Sequence, residues 1–382
     1  MKRYMHIYEK IRKDIENGAY SFGQKIPSKR ITAEQSGTSL ITVEHAYDIL
    51  IGEGYIEPRE RSGYYVAYSD EHDFSFSAED PHRKGFDEKN DASGETCIRD
   101  GNDGGNGYGE RARECETEKT QTSAEREYFP FSVLASAVRS TLNDYGERLL
   151  SKTPNSGAPE LKTAIKKYLA RNRNVLVDEK QIVIGAGAEY LYGIIVELLG
   201  KDNVFGIENP SYEKIEKVYS ARGINVEKLS LLNNGISSDE LKKTSANILH
   251  VTPYRSFPTG ATADASKKKE YLRWAEERSG YIIEDDYESE FSVTAKLAET
   301  IFGNDKSGRV IYVNTFSKTI CPSVRVGYML LPQTLTEKFY KTLGFYSCAV
   351  PSLEQFLIAK ILNDGSFERH VNKVRRARRK AL

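Results

Sequence analysis

Cysteine is scarce in this chain of 382 residues: there are four, at positions 97, 115, 321 and 348. Their spacing matches no metal-binding pattern and gives no disulfide scaffold, which points to a reducing compartment. Net charge is lacking too, since 55 Lys and Arg balance 55 Asp and Glu. No global field draws the molecule to nucleic acid or membrane, so any DNA contact has to come from a local surface. No apolar run approaches the ~18 uninterrupted residues of a membrane-spanning helix. The first residues, Met1-Lys2-Arg3-Tyr4-Met5-His6, hold no apolar signal core. A cytoplasmic protein with no membrane partner is expected. What is present is length for about two or three domains and 39% hydrophobic residues, enough for a sizeable core.

Two stretches carry chemistry. In the first, the apolar run Val310-Ile311-Tyr312-Val313 reads as a buried strand. It leads into Asn314-Thr315-Phe316-Ser317-Lys318-Thr319, and Arg325 follows. A lone loop lysine is ordinarily a surface lysine. Here hydroxyl residues flank it and an arginine follows, the set a carbonyl cofactor needs: an amine for a Schiff base, and donors for a phosphate. The second stretch, Tyr281-Ile282-Ile283-Glu284-Asp285-Asp286-Tyr287, runs three apolar residues into carboxylates. Ligands of open α/β sheets gather at the carboxyl ends of strands. A carboxylate there can keep a pyridine nitrogen protonated, making the ring an electron sink.

These two stretches resemble the fold-type I aminotransferases that use pyridoxal 5′-phosphate, in the variant carried by MocR/GabR-type transcriptional regulators. Such regulators join a GntR-type winged helix-turn-helix to an aminotransferase-like domain. The resemblance covers about residues 1–68 and 128–382.

Residues 1–68 read independently as a DNA-binding head. Tyr4, Tyr8, Ile11 and Ile15 recur at helical spacing, and Asn17-Gly18 ends that helix. Ser28 is a good N-cap for a second helix starting near Lys29. A third carries Val43, Ala46, Tyr47, Leu50 and Ile51 on one face, and Arg61-Ser62-Gly63 closes a hairpin. Three short helices and a hairpin make an α+β winged helix-turn-helix, whose third helix enters the major groove by its N-terminus. The GntR pattern is met by Pro27-Ser28-Lys29-Arg30, by Ser39-Leu40-Ile41-Thr42-Val43 and by the wing glycine. The resemblance implies that Ser28 and Arg30 touch phosphates, Ser39 and Thr42 sit at the groove, and Arg61 and Gly63 form the wing tip on an operator duplex. Leu40 departs from the pattern, because many relatives have arginine there. With ten Lys/Arg against nine Asp/Glu, the head is weakly basic. Phosphate contacts dominate such binding, so a homodimer is expected.

Residues 69–127 hold seventeen Asp/Glu against eight Lys/Arg and a run of glycines from Gly101 to Gly109. Such a segment buries too little apolar surface to offset its ordering entropy, so a flexible acidic linker is expected.

Residues 128–382 alternate strand-like and helix-like runs, predicting an α/β fold with a mainly parallel sheet and helices on both faces. Gln181-Ile182-Val183-Ile184-Gly185-Ala186-Gly187-Ala188-Glu189 reads as strand, glycine turn and helix N-terminus, a ready phosphate cradle. The remaining roles come from the resemblance. Gly187, Ala188 and Glu189 would offer N–H groups to the cofactor phosphate, which Thr315, Ser317 and Arg325 would also hold. Tyr212 would lie against the pyridine face, Asp285 would pair with its nitrogen, and Tyr287 would hydrogen-bond the phenolic oxygen. Lys318 would form the internal aldimine as the catalytic residue, with an amino compound or the cofactor itself as effector. Phe257 stands where aminotransferases usually have asparagine, which weighs against fast turnover. Around Lys152–Gly157 a tyrosine and a second glycine of the pattern are missing, which bears on the partner subunit's contribution to the site. The chain stops in the helix Arg375–Leu382 that leads, in the family, into a small C-terminal domain carrying a carboxylate clamp. A C-terminally truncated body without that subdomain is therefore expected. A working aminotransferase carrying a DNA-binding head is the rival reading.

Overall fold

The structure, a computed structural model, describes residues 3–59, 62–68, 129–294 and 299–381. The expected linker, 69–127, and the expected wing-tip residue Arg61 lie outside them.

The head runs α1 (Arg3–Glu16), α2 (Lys29–Ser36), α3 (Leu40–Gly52), β1 (Ile56–Arg59) and β2 (Gly63–Val66). Helical spacing puts Ile7, Tyr8, Ile11 and Ile15 on one buried face of α1. Ser28 caps α2 by accepting the Ile31 N–H, and Gly37, at φ 60°, ends it in the left-handed region. Ser39 caps α3 by accepting the Thr42 N–H. β1 and β2 pair antiparallel, Ile56 opposite Val66. Both pack with Val43, Ala46, Tyr47 and Leu50 of α3 against the apolar face of α1.

The body continues with α4 (Phe131–Tyr145), α5 (Pro159–Asn172), β3 (Ile182–Gly185), α6 (Ala188–Leu199), β4 (Val204–Asn209) and α7 (Glu213–Ser220). There follow β5 (Asn225–Leu232), β6 (Gly235–Ile236), α8 (Ser238–Lys243), β7 (Ile248–Val251), α9 (Ala265–Glu277) and β8 (Tyr281–Asp285). The last elements are α10 (Ile301–Asn304), β9 (Val310–Thr315), β10 (Gly327–Leu330), α11 (Gln333–Thr342), α12 (Ser352–Asn363) and α13 (Ser366–Ala381).

The strands form a sheet in the order β3-β10-β9-β8-β7-β4-β5-β6. From β9 to β5 the neighbours are parallel, whereas β10 runs antiparallel to both β3 and β9, and β6 antiparallel to β5. Every residue of β3, β7 and β10 is buried, as a sheet covered on both faces requires. Ile283, Ile311 and Val313 pack on Leu191 and Ile195 of α6. Their neighbours Ile282 and Val310 face Tyr271 and Trp274 of α9, on the other side. Burying each such side chain stabilises the fold by about 1.5–3 kcal/mol.

Head and body belong to one compact unit. The Ala265 N–H donates to the Glu53 carbonyl at 2.9 Å. Arg12 Nη1 meets Glu299 Oε1 at 2.5 Å. The Lys269 ammonium lies 5.2 Å from the Tyr68 ring centroid. Among the described residues no helix is long and apolar enough to cross a membrane.

Candidate functional site

The strand directions bring the candidate residues to one edge of the sheet. Gly327 at the start of β10 pairs with Gly185 at the end of β3 and with Thr315 at the end of β9. Asp285 ends β8 beside Val313 of β9. β4 and β7 run parallel to β8 and end on the same side. Six strand ends thus meet at one rim, which carries the Gly187 turn, the Thr315–Lys318 turn, Asp285 and the loops after β4 and β7.

Asp285 is buried. One oxygen, Oδ2, accepts from the Tyr192 hydroxyl and lies 3.6 Å from His250 Nε2. The other, Oδ1, is buried with no hydrogen-bond partner, as is His250 Nε2. On its far side His250 Nδ1 shares a hydrogen bond of 2.7 Å with the Tyr219 hydroxyl. With that hydroxyl donating, Nε2 carries the imidazole proton and faces the carboxylate. Burial first, then the charge of Asp285, pushes both tyrosines well above their ordinary range, so they stay neutral donors. Tyr192 of α6 bonds the carboxylate, His250 of β7 faces it, and Tyr219 of α7 fixes the His250 ring from behind; sequence reading missed all three. An unpartnered buried oxygen of this kind calls for a ligand donor.

The cradle after β3 has the same character. Gly187 is the N-cap of α6 at φ 88°, and no side chain caps the helix there. The first-turn N–H groups are thereby left for an anion. A Cβ at Gly187 would stand 3.0 Å from Arg325 Nη2, so the glycine leaves the space the guanidinium borders. Glu189 faces that guanidinium by its side chain: Oε2 is 4.0 Å from Arg325 Nη2, and Oε1 is 3.4 Å from Lys214 Nζ. Thr315 Oγ1 donates to Ser317 Oγ at 3.1 Å, and Ser317 Oγ donates to the Val324 carbonyl at 2.6 Å. Lys318 follows, exposed and without a hydrogen bond or ion pair among the described residues. The free buried oxygen, the uncapped helix with its arginine and the free amine all suit pyridoxal phosphate.

Two rings stand at the mouth. Tyr212, after β4, meets Phe257 edge-on with centroids 6.2 Å apart. Tyr287 donates its hydroxyl to the Arg255 carbonyl at 2.9 Å. Beneath Phe257, Glu208 accepts from Ser256 Oγ at 2.5 Å and from the Thr252 N–H at 3.1 Å. Desolvation outweighs these bonds and pushes Glu208 up to about 8. Arg173 and Asp286 form a buried ion pair behind the rim, and Asp286 also accepts from the Tyr312 hydroxyl at 2.8 Å. The basic run of α13 is partly turned inward: Arg375 donates to the Ser292 and Thr294 carbonyls at 2.7 and 2.6 Å. Arg378 reaches Glu288 at 2.7 Å.

In the head, Ser28, Arg30 and Ser39 are exposed, the two serines serving as helix caps. Thr42 Oγ1 lies 2.8 Å from Ser39 Oγ. Gly63 opens β2, and a Cβ there would stand 3.0 Å from Lys25 Cε.

Comparison with known proteins gives the same two parts. The family "Bacterial regulatory proteins, gntR family" matches residues 3–66, and "Aminotransferase class I and II" matches residues 125–381. An HTH-type transcriptional regulator of Bacillus subtilis, YdeL, is 31% identical over 99% of this chain and 77% of its own length. The "Probable rhizopine catabolism regulatory protein MocR" of Rhizobium meliloti is 27% identical over 98% of this chain and 74% of its own. The "HTH-type pyridoxine biosynthesis transcriptional regulator PdxR" of Corynebacterium glutamicum is 24% identical over 96% and 74%. Among solved structures, an archaeal alanine:glyoxylate aminotransferase superposes with a TM-score of 0.59 at 24% identity, over 64% of this chain and 63% of its own. That likeness shows the fold, and an aminotransferase class I and II fold implies pyridoxal phosphate binding. The chain belongs to the MocR/GabR-type transcriptional regulators, DNA-binding proteins in which a GntR-family helix-turn-helix is joined to a fold-type I aminotransferase-like domain.

Proposed function

We propose that this regulator holds pyridoxal 5′-phosphate at the strand rim and there senses an amino compound, or the cofactor itself, through Lys318. The observation that carries the reading is the pairing of an uncapped α6 N-terminus beside Arg325 with the buried, unpartnered Oδ1 of Asp285. When bound, the cofactor supplies an aldehyde that condenses reversibly with amines and a pyridine ring that accepts electron density.

The chain's own residues divide the work. Arg325 and the first-turn N–H groups of α6 neutralise the phosphate, the guanidinium giving the stronger, charge-assisted contact. Asp285, oriented by Tyr192 and His250, holds a proton at the pyridine nitrogen through its free oxygen. Tyr212 covers the ring face and limits water. Tyr287 reaches the phenolic oxygen by exchanging its bond to the Arg255 carbonyl. Lys318 offers the amine with which an effector amine competes. A switch follows only if the effector binds two arrangements of the protein with different affinity, so operator binding has to change with the effector. A homodimer presenting two heads to a double-stranded operator completes the reading.

The test is the visible absorption of the purified chain with pyridoxal phosphate, beside Lys318→Ala. A band present in the first and lost in the second supports the reading, and amine titration of band and operator affinity follows. No band in either protein, with the body folded, removes it. Multiple-turnover transfer of an amino group to a 2-oxo acid would favour the aminotransferase reading instead. Phe257 at the mouth, where a side-chain amide would hold the phenolic oxygen, weighs against that outcome.

A further inference from the structure

The recognition helix of this head carries no cation. α3 reads Leu-Ile-Thr-Val-Glu-His-Ala-Tyr-Asp-Ile-Leu-Ile-Gly, with neither lysine nor arginine. Reading guanine in the major groove ordinarily needs one of those two, paired with O6 and N7. The polar residues that α3 does expose are committed to the protein. Glu44 and Asp48 draw on Lys29 of α2, at 2.9 and 3.8 Å. His45 packs edge-on against Tyr4, centroids 5.6 Å apart. Thr42 is tied to Ser39. Val43, Ala46, Tyr47, Ile49 and Leu50 face the head's own core.

What remains at the end of α3 that enters the groove is apolar. Leu40 is 46% exposed and Ile41 is 73% exposed. A single exposed leucine is ordinary. Two adjacent large aliphatic side chains on the first turn of a recognition helix are not, because that turn meets the base edges. The apolar feature of the major groove is the 5-methyl group of a pyrimidine, carried by thymine.

We infer that Leu40 and Ile41 read pyrimidine 5-methyl groups, so the operator half-site presents thymine, not guanine, to the first turn of α3. The inference rests on the DNA-binding role of the head. It assigns base recognition to the position where the family pattern has arginine.

The experiment uses the full chain. Duplexes with a randomised central stretch are selected by binding, and the selected site is then varied. Enrichment of thymine at one or two positions per half-site is expected. Replacing each such thymine by deoxyuridine removes only the methyl and should weaken binding about fourfold, the worth of one buried methyl. The same replacement should cost nothing in Leu40→Ala or Ile41→Ala, whose exposed positions spare the fold. A 5-methylcytosine·guanine pair at that position separates the two sources of the methyl: retained binding means the methyl alone is read, lost binding means the thymine pair is. Leu40→Arg should move the selected base toward guanine. Guanine at these positions in the unaltered protein overturns the inference. So does a deoxyuridine penalty that is absent, or that persists undiminished in both alanine variants. A pool showing no enrichment at all, with the chain folded, overturns the DNA-reading role itself and this inference with it.

Discussion

The two halves of this molecule treat charge in opposite ways. Among the head's described residues the core is aliphatic and tyrosine-rich, and Thr32 is the only buried non-tyrosine polar side chain. On the first turn of α3 the head exposes two aliphatic side chains, Leu40 and Ile41. The body does the reverse. Glu208, His250, Glu284, Asp285, Asp286, Glu290 and Arg173 are all buried at or behind the rim. A duplex comes to the head with its own charge and its own water. A small cofactor has to find its partners already desolvated and aimed, and burying charge is costly unless each group is paired. The body therefore spends packing on a network, while the head needs only a stable platform.

Breaking the body's network should have the largest effect. Arg173→Met leaves Asp286 buried without its cation, and a loss of about 3–5 kcal/mol in urea unfolding is expected. Equal stability of mutant and parent would mean that the pair is not what holds the rim. Glu208 gives the next effect, and its sign can be worked out. A carboxyl pushed up to about 8 keeps its proton more tightly in the folded state. Folding stability then falls as pH rises from about 4.5, and levels off above about 8. Glu208→Gln should flatten that decline between pH 5 and 8, and an unchanged slope assigns the decline to Glu284 and Glu290, both pushed up to about 7. Arg325→Ala should weaken pyridoxal phosphate binding about thirtyfold, the worth of roughly 2 kcal/mol for a charge-assisted bond. In the head, Ser39→Ala removes the cap of α3 and should cost about 1 kcal/mol, without touching cofactor affinity. The smallest change expected is a gain. Glu189 sets a carboxylate 4.0 Å from Arg325, so, on the proposed role of that arginine, Glu189→Gln should tighten phosphate or cofactor binding about two- to fivefold, as partly exposed charges allow. Weaker binding would make Glu189 a support of Arg325 and not its competitor.

The same contrast decides what the sequence made legible. The head was readable because its signals are local: a helical apolar stripe in α1, a serine before α2, a serine before α3. In the body, Asp285 and Lys318 stood out because each follows an apolar strand within a few residues. The sheet reads as mainly parallel from alternation, yet Gly327-Tyr328-Met329-Leu330 gives no sign of its direction, since a buried strand looks alike either way. Tyr192, Tyr219 and His250 could not be found from spacing, as three separate elements bring them into one cluster around Asp285. Two of them are tyrosines among 24. Arg173 follows a helix and looks solvent-bound until the fold closes over it. Phe257 and Tyr212 were legible only as positions in a pattern, and their edge-on contact belongs to tertiary structure.

One short strand end has a mechanical meaning. Successive residues of a strand point to opposite faces, so Asp285 and Glu284 at the tip of β8 serve opposite sides. Asp285 faces Tyr192 and His250. Glu284 accepts the Ile301 and Phe302 N–H groups at 2.8 Å each, and Glu299, just before them, holds Arg12 of the head. Asp285, the strand tip, the α10 turn and the head are joints in series. Here the outer joint is a pair of side chains, Arg12 and Glu299, and the inner one sets the Glu284 carboxylate on two backbone N–H groups. One strand tip thus serves both the rim and the surface on which the head rests.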